Sequence, residues 1–572
     1  MSSSRLSIRD SFRGKHLLVT GASGFLGKVW LAMVLDRVPE VGRIYVLLRK
    51  KGLRPAHERF EQIIATNYCF KGLHEQYGAD LGAFLADRIE VVEGDVSEVD
   101  FGLEPEVKAR LQQNVDVIVN VAGLVDFNPD IREAIATNVD GATNCVTFTA
   151  SCQKAKLLHV STCYVAGNRP GRIAEVLRED YRPDGGSMDP DVEYAEVQAE
   201  VERIVASEET PEREAELDAL VMERIREKKL NPGNQTLVRN MKARERKERL
   251  KRLMADFGSE RAARFGWPNT YTWSKSLAEG MLKRRARELG VAFSVFRPAI
   301  VECAVSFPFP GWNEGFNTSG PLVYLLGTGF RHLVSKPTLP FDVVPVDLCC
   351  NGLTIATAAM LQGTHREVYQ SGTSEQNQLT IRRAAELTGL GYRKHYRRFG
   401  ETTRERLVMS RLDAKNAPQG HLLSNDNVRA LARGVKSVAE RVAEKAPEFI
   451  KGHAERLANA ADGTDKQLER VDRILDLFKP FIYDNHWVFE TQGLASVDVV
   501  EPEFRWEPDA IVWRDYWTEV QMPGLRKWCF PQIEGKDPET YTPKHAFRLP
   551  RPGELRDAST GELPRLRLVA EG

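Results

Sequence analysis

VTGASGFLGK, residues 19 to 28, is the stretch on which the reading of this chain turns. An apolar run, KHLLVTG (15 to 21), leads into it and an amphipathic pattern follows, which places its glycines at a strand-to-helix turn. In that setting Gly21 makes the tight turn, Gly24 lets a pyrophosphate approach the backbone, and Gly27 permits close packing of helix on strand. The phosphates would lie at the helix N-terminus, with Ser23, Phe25 and Leu26 in the same dinucleotide-binding turn.

Outward from this turn, further short apolar runs recur: GRIYVLLR (42 to 49), RIEVVEGDV (88 to 96), VDVIVNVAG (115 to 123), KLLHVST (156 to 162) and FSVFRP (293 to 298). Near-continuous apolar strands alternating with helical patterns predict a parallel sheet covered on both faces, a Rossmann-like, doubly wound α/β fold. The alternation is interrupted by a charge-dense segment at about 192 to 265, acidic from Glu193 to Glu216 and basic through RERKERLKRL (244 to 253), with the breaker LNPGNQ (230 to 235) between. It reads as an inserted antiparallel helical hairpin with pairing acidic and basic arms, its solvated faces weighed against a role as cap or anion-binding surface. Residues 1 to 378 are expected to form the nucleotide-binding domain. Residues 379 to 572 are expected to form a mainly helical second domain, with a long helical stretch from 427 to 478, an aromatic-rich segment after it and a frayed tail from Pro550.

Bulk properties exclude several classes. With 572 residues, 80 Lys plus Arg against 80 Asp plus Glu, and a net charge of zero, nothing in the balance calls for nucleic acid. The eight cysteines form no CxxC pair and the eleven histidines no ligand set, so no metal site is expected. The opening MSSSRLSIRDSF lacks the apolar core expected of a signal peptide, and the most apolar window, Val343 to Leu361, carries Asp347 and Asn351. The expected location is cytoplasmic, peripheral membrane contact being compatible with it.

Cofactor choice is read after the second strand, where an acid would commonly hold a ribose 2′-hydroxyl. Arg49 and Lys50 stand there instead, which suits a 2′-phosphate and predicts NADPH. Asp95 in GDV, followed by Val96, is placed to accept from an adenine amino group, and the small residues Ala122 and Gly123 leave room for cofactor at the end of the fourth strand.

Proton chemistry is read from WPNTYTWSK (267 to 275). Tyr271 and Lys275 are four apart, on one helix face, and a phenol that titrates near pH 10 needs a neighbouring cation to act near neutrality. Ser161 and Thr162, at the end of the fifth strand, supply a hydroxyl to hold the reacting oxygen. Either could be the catalytic hydroxyl.

Together TGxxGxxG, the strand-end Ser and Thr, YxxxK and FRPAIVE (296 to 302) resemble extended short-chain dehydrogenases/reductases. More narrowly, GFLGK, STCYV, YTWSK, RPAIVE, PGWNEG (310 to 315), KPFIYDNHWVFE and the WRDYW to GLRKW segment are similar to the alcohol-forming fatty acyl-CoA reductases, over most of the chain. The resemblance implies Thr162 or Ser161, Tyr271 and Lys275 as the catalytic group, with Thr162 preferred. It adds Pro298 and Ile300 to the cofactor contacts. It implies NADPH-dependent reduction of a long-chain fatty acyl-CoA, or of an acyl-carrier protein thioester, to an aldehyde and then an alcohol. The C-terminal region would bind the acyl chain. The alternatives are a two-electron reductase releasing fatty aldehyde and a non-catalytic NADP(H)-binding scaffold; oligomeric state is not legible. Two signals are set aside: Cys163, with no base to activate it and a side chain expected opposite Thr162 if the strand continues, and HLLSND (421 to 426), an isolated match to an acyltransferase spacing.

Overall fold

A computed structural model describes residues 5–314, 319–327, 335–401, 403 and 475–551. Most of the predicted helical stretch 427 to 478, the HLLSND segment, Gly315 and the tail beyond 551 lie outside the described residues.

Apolar runs become strands in the expected order: β1 (His16–Thr20), β2 (Arg43–Leu48), β3 (Ile89–Glu93), β4 (Val117–Asn120) and β5 (Lys156–Val160). They continue through β6 (Gly171–Ile173), β7 (Phe293–Pro298), β8 (Ile300–Glu302), β9 (Val343–Pro345), β10 (Val368–Ser371) and β11 (Trp487–Phe489). Seven of these form one sheet in the order β10-β7-β5-β4-β1-β2-β3. Every pairing in it is parallel. Burial explains the uniform apolarity: β4 is buried along its whole length, and β1, β2, β5 and β7 along all but their first residue. Strand order reverses between β1 and β4, which opens a crevice at their carboxyl ends, where ligands bind in such sheets.

The apolar window 343 to 361 is not one element. It divides into β9 and the Val346–Gln362 helix, in which Asp347 is buried and accepts from the amides of Val305, Ser306 and Phe307. No helix among the described residues is long and apolar enough to cross a membrane.

Two small parallel pairs, β8 with β9 and β6 with β11, flank the main sheet. The second joins the aromatic C-terminal segment to the region after β5, and Trp487 Nε1 adds a bond to the Gly167 carbonyl at 3.0 Å. Glu302 of the RPAIVE motif accepts from Gln521 Nε2 at 2.7 Å and from the Ser319 amide at 2.6 Å, while the Tyr516 hydroxyl donates to the Cys303 carbonyl.

The charged insertion is three helices rather than two: Pro190–Ser207, Pro211–Glu227 and Gln235–Phe265. The acidic arm breaks because Pro211 lacks an amide hydrogen to continue a helix, whereas as first residue of a new one it costs nothing, and the Thr210 hydroxyl caps that new helix by accepting from the Arg213 amide. The long third helix runs antiparallel to both. Its cations pair across: Lys242 with Glu214 and Asp218, Arg246 with Glu214, Arg249 with Glu208, and buried Arg261 with Glu193. Leu217, Val221 and Ile225 form a small apolar cluster beneath. Replacing Lys242, Arg246 and Arg249 together with glutamate is therefore expected to lower the melting temperature by a few degrees, since exposed pairs are individually weak but the reversal also sets like charges side by side. Thermal denaturation by circular dichroism reads it.

Candidate functional site

At the carboxyl ends of β1, β4, β5 and β7 lies a cavity of about 330 Å³. Its walls include Gly21, Gly24, Phe25, Leu26 and Gly27 on one side and Ser161, Thr162, Tyr271 and Lys275 on another, with Gly123, Pro298 and Ile300 between. Twelve of the expected residues thus meet in one space. No residue of the 192 to 265 insertion lines it.

The glycine turn fits a dinucleotide. Gly21 has φ +71°, and a Cβ there would stand 2.5 Å from the Ala122 nitrogen; one at Gly27 would stand 2.3 Å from the Gly21 oxygen. Gly24 is different: its nearest neighbour would be 3.4 Å away, an ordinary contact, so the protein itself does not demand glycine there. An external group pressed against the backbone would. Gly24 is the N-cap of the Phe25–Arg37 helix and offers no side-chain cap, which leaves the first amides facing the cavity for a phosphate.

Arg49, Lys50, Ser23, Asp95, Val96 and Ala122 do not line the cavity; they extend from it along the ends of β1 to β4. Arg49 Nη1 faces Asp95 Oδ2 at 3.4 Å, and Asp95 Oδ1 accepts from the amide and hydroxyl of Ser97 at 3.0 and 2.8 Å. Part of the acceptor capacity expected for an adenine is thus used within the protein. Val96 is buried, its carbonyl accepting from Asn144, and the Ala122 amide donates to Thr20 Oγ1. Lys50 is exposed.

Arg59 was not foreseen. From the Ala56–Thr66 helix its Nη1 donates to the Arg49 carbonyl at 2.9 Å and its Nη2 reaches Ser23 Oγ at 3.5 Å, so two guanidiniums flank the outer end of the glycine turn. The only sequence signal was a basic residue in the first helix after β2. Lys28 and Glu314 were quoted merely as motif letters; they form an ion pair across the cavity wall in which Lys28 is buried and Glu314 Oε2 has no hydrogen-bond partner among the described residues.

Tyr271 reaches Thr162 because the chain is tied down on both sides of the detour. Trp267 Nε1 donates to the Val165 carbonyl at 2.9 Å, anchoring the return to the turn Cys163–Ala166 that follows Thr162. The Asn269 side chain then accepts from the Thr272 amide and caps the Thr270–Leu289 helix, which puts Tyr271 in its first turn, where the helix dipole favours negative charge. Strand β5 ends at Val160, so Ser161 and Thr162 lie just beyond it. Thr162 Oγ1 accepts from the Tyr164 amide at 3.3 Å, and Ser161 Oγ is buried with no partner among the described residues. Cys163 belongs to the turn rather than to a continued strand; its thiol donates to the Arg297 carbonyl, and burial pushes it well above the ordinary thiol range, which leaves it inert.

One expectation is corrected. Lys275 was to lower the Tyr271 pKa, but burial pushes the phenol up to about 12, and the group that offsets this in part is the Thr162 hydroxyl. The Lys275 ammonium is instead engaged at β5, donating to the Val160 carbonyl at 2.8 Å and lying 3.5 Å from His159 Nε2. Burial lowers Lys275 itself to about 8, against the pull of Glu279.

A sequence model of the family described as Male sterility protein, a NAD-binding domain, matches residues 19–353. The chain is 27% identical over 537 residues to "Probable fatty acyl-CoA reductase 5" of Arabidopsis thaliana, covering 90% of this chain and 97% of that one. It is 28% identical over 541 residues to "Fatty acyl-CoA reductase 2, chloroplastic" of the same plant, covering 91% and 79%. It is 26% identical over 534 residues to "Alcohol-forming fatty acyl-CoA reductase" of Simmondsia chinensis, covering 91% and 98%.

Proposed function

The chain belongs to the Male sterility protein family, and from that premise we propose that it is an NADPH-dependent reductase that takes long-chain fatty acyl-CoA through the aldehyde to the primary alcohol. The carrying observation is the convergence of Ser161, Thr162, Tyr271 and Lys275 on one cavity that the glycine turn closes on one side and Phe127, Phe478 and Phe481 on another. The apolar wall suits an acyl chain, and the region 379 to 572 is the proposed source of the rest of its channel.

When bound, the reduced nicotinamide supplies a hydride to the acyl carbonyl carbon. Tyr271, fully protonated at neutral pH, donates to the carbonyl oxygen as charge develops there. The Ser161 hydroxyl, which has no partner among the described residues, and the Thr162 hydroxyl line the cavity with Tyr271 and would hold the same oxygen. Loss of the thiol leaves an aldehyde whose oxygen occupies the same place, so one set of groups serves both reductions. Added long-chain aldehyde is then expected to be reduced by the purified protein with NADPH. Aldehyde left untouched while acyl-CoA is consumed would instead indicate a two-electron enzyme.

The cofactor preference rests on Arg49 and Arg59. Removing both as alanine is expected to raise the KM for NADPH by roughly 10- to 100-fold, the worth of one or two charge-assisted contacts, with the KM for NADH little changed. Equal effects on the two cofactors would remove the 2′-phosphate assignment.

The pH dependence follows from Lys275. With a pKa lowered to about 8, the ammonium is present below that pH and is lost as pH rises through it, so kcat/KM should fall on the alkaline side near pH 8 rather than near the ordinary lysine value of about 10.4.

A further inference from the structure

A buried chain of hydrogen bonds crosses the sheet from β1 to the Thr270–Leu289 helix. The Ala122 amide donates to Thr20 Oγ1 at 3.2 Å, and the Thr20 hydroxyl donates to Asn120 Oδ1 at 2.6 Å. Asn120 Nδ2 lies 3.0 Å from His159 Nδ1, and His159 Nε2 lies 3.5 Å from Lys275 Nζ. Thr20, Asn120, His159 and Lys275 are all at least 98% buried.

Such a chain has a direction. At 2.6 Å the Thr20–Asn120 contact has the length of an O–H···O bond, so the Thr20 hydrogen goes to Asn120 Oδ1, which leaves the Asn120 amide nitrogen, a donor only, facing His159. His159 Nδ1 must accept, and a neutral imidazole then carries its hydrogen on Nε2, the atom that faces Lys275. We propose that His159 is a positioning residue that turns an N–H toward Lys275, adds to burial in disfavouring the ammonium form, and thereby helps set the pH at which the lysine holds its proton. An amine can accept from that N–H, whereas an ammonium meets it donor to donor.

The other ionisable groups around the lysine are Tyr271, one turn earlier on its own helix and kept protonated by burial, Glu279, one turn later, which favours the ammonium, and Cys145 from the Gly141–Ser151 helix, a thiol that burial keeps protonated. Gly123, just beyond β4, also borders the lysine and carries no charge. His159 itself stays neutral, because burial and the Lys275 charge hold it well below its usual value. A lysine poised between its two forms near neutrality can return a proton to Tyr271 after each reduction; that use rests on the proposed function, but the titration of Lys275 does not.

Reductive methylation tests it, since only the neutral amine reacts and formaldehyde is small enough to enter the cavity that Lys275 lines. Labelling of Lys275, resolved by peptide mass spectrometry across a pH series, is expected to be half-maximal near pH 8 in the native protein. In His159→Gln, which can offer a carbonyl in place of the N–H, and in Asn120→Leu, which frees the tautomer of an intact His159, the midpoint should rise by about one pH unit, a tenfold change in proton affinity. The alkaline limb of kcat/KM should move with it. Midpoints unchanged in the folded variants would overturn the proposal, and so would a native midpoint near the ordinary lysine value of about 10.4. Labelling requires neither substrate nor cofactor, so a shifted midpoint in a protein that fails to reduce acyl-CoA would count against the proposed function alone.

Discussion

Tyr271→Phe is expected to lower kcat by roughly 10²- to 10⁴-fold, the usual worth of a positioned proton donor, while leaving the KM for NADPH within a few-fold. The phenol lines the cavity, is protonated at neutral pH and has the Thr162 hydroxyl at its side. Phenylalanine keeps the ring in place on a capped helix whose anchors, Trp267 and Asn269, are untouched. The loss should therefore fall on the chemical step rather than on folding. Single-turnover rates with an unchanged circular dichroism spectrum would show this; full turnover by the variant would end the assignment.

The second large effect is expected at the glycine turn, where two substitutions separate folding from binding. In Gly27→Ala the new Cβ would lie 2.3 Å from the Gly21 oxygen and 2.9 Å from its carbonyl carbon, both backbone atoms that no rotamer change can move aside. Overpacking of this kind costs about 1–3 kcal/mol, and the strand-to-helix spacing must open, so both thermal stability and NADPH affinity should fall. Gly24→Ala meets its nearest protein atom at 3.4 Å. Stability should be near native there, with NADPH affinity, read by the enhancement of nicotinamide fluorescence, reduced more than tenfold because the methyl group occupies the space of a phosphate. Native affinity in Gly24→Ala would mean that no phosphate approaches that backbone.

The central strands were legible in the sequence because burial on both faces makes each of them a continuous apolar run between turn residues. β10 escaped notice because Val368–Ser371 is four residues long and ends in Gln and Ser, which no periodicity distinguishes from a loop. The β6–β11 pairing could not be read at all: Gly171 pairs with Trp487, and local pattern carries no information about such a partner. The break in the acidic arm was visible as Thr210–Pro211 but was masked by the evenness of the surrounding charge.

At the site, the glycine turn and the Tyr271–Lys275 pair were readable because helix and strand-end geometry fix them locally. The direction of the Tyr271 shift was not, since proximity along a helix says nothing of how deeply each group is buried or which partner it meets. Lys275 meets Val160 and His159 on β5, and His159, alone on an apolar strand, looks like core packing until the tertiary structure sets it beside the lysine. Arg59 belongs to the same class of omission, a surface-looking cation that folding brings beside the glycine turn.

The most direct test is a reaction balance. Purified protein is given a long-chain acyl-CoA and NADPH, and the cofactor oxidised, the coenzyme A thiol released and the lipid product are measured together. The account predicts about two NADPH oxidised per thiol released, with primary alcohol as the accumulating product. Thiol release without NADPH oxidation, or no reduction of any acyl-CoA by a protein that binds the cofactor, would contradict it.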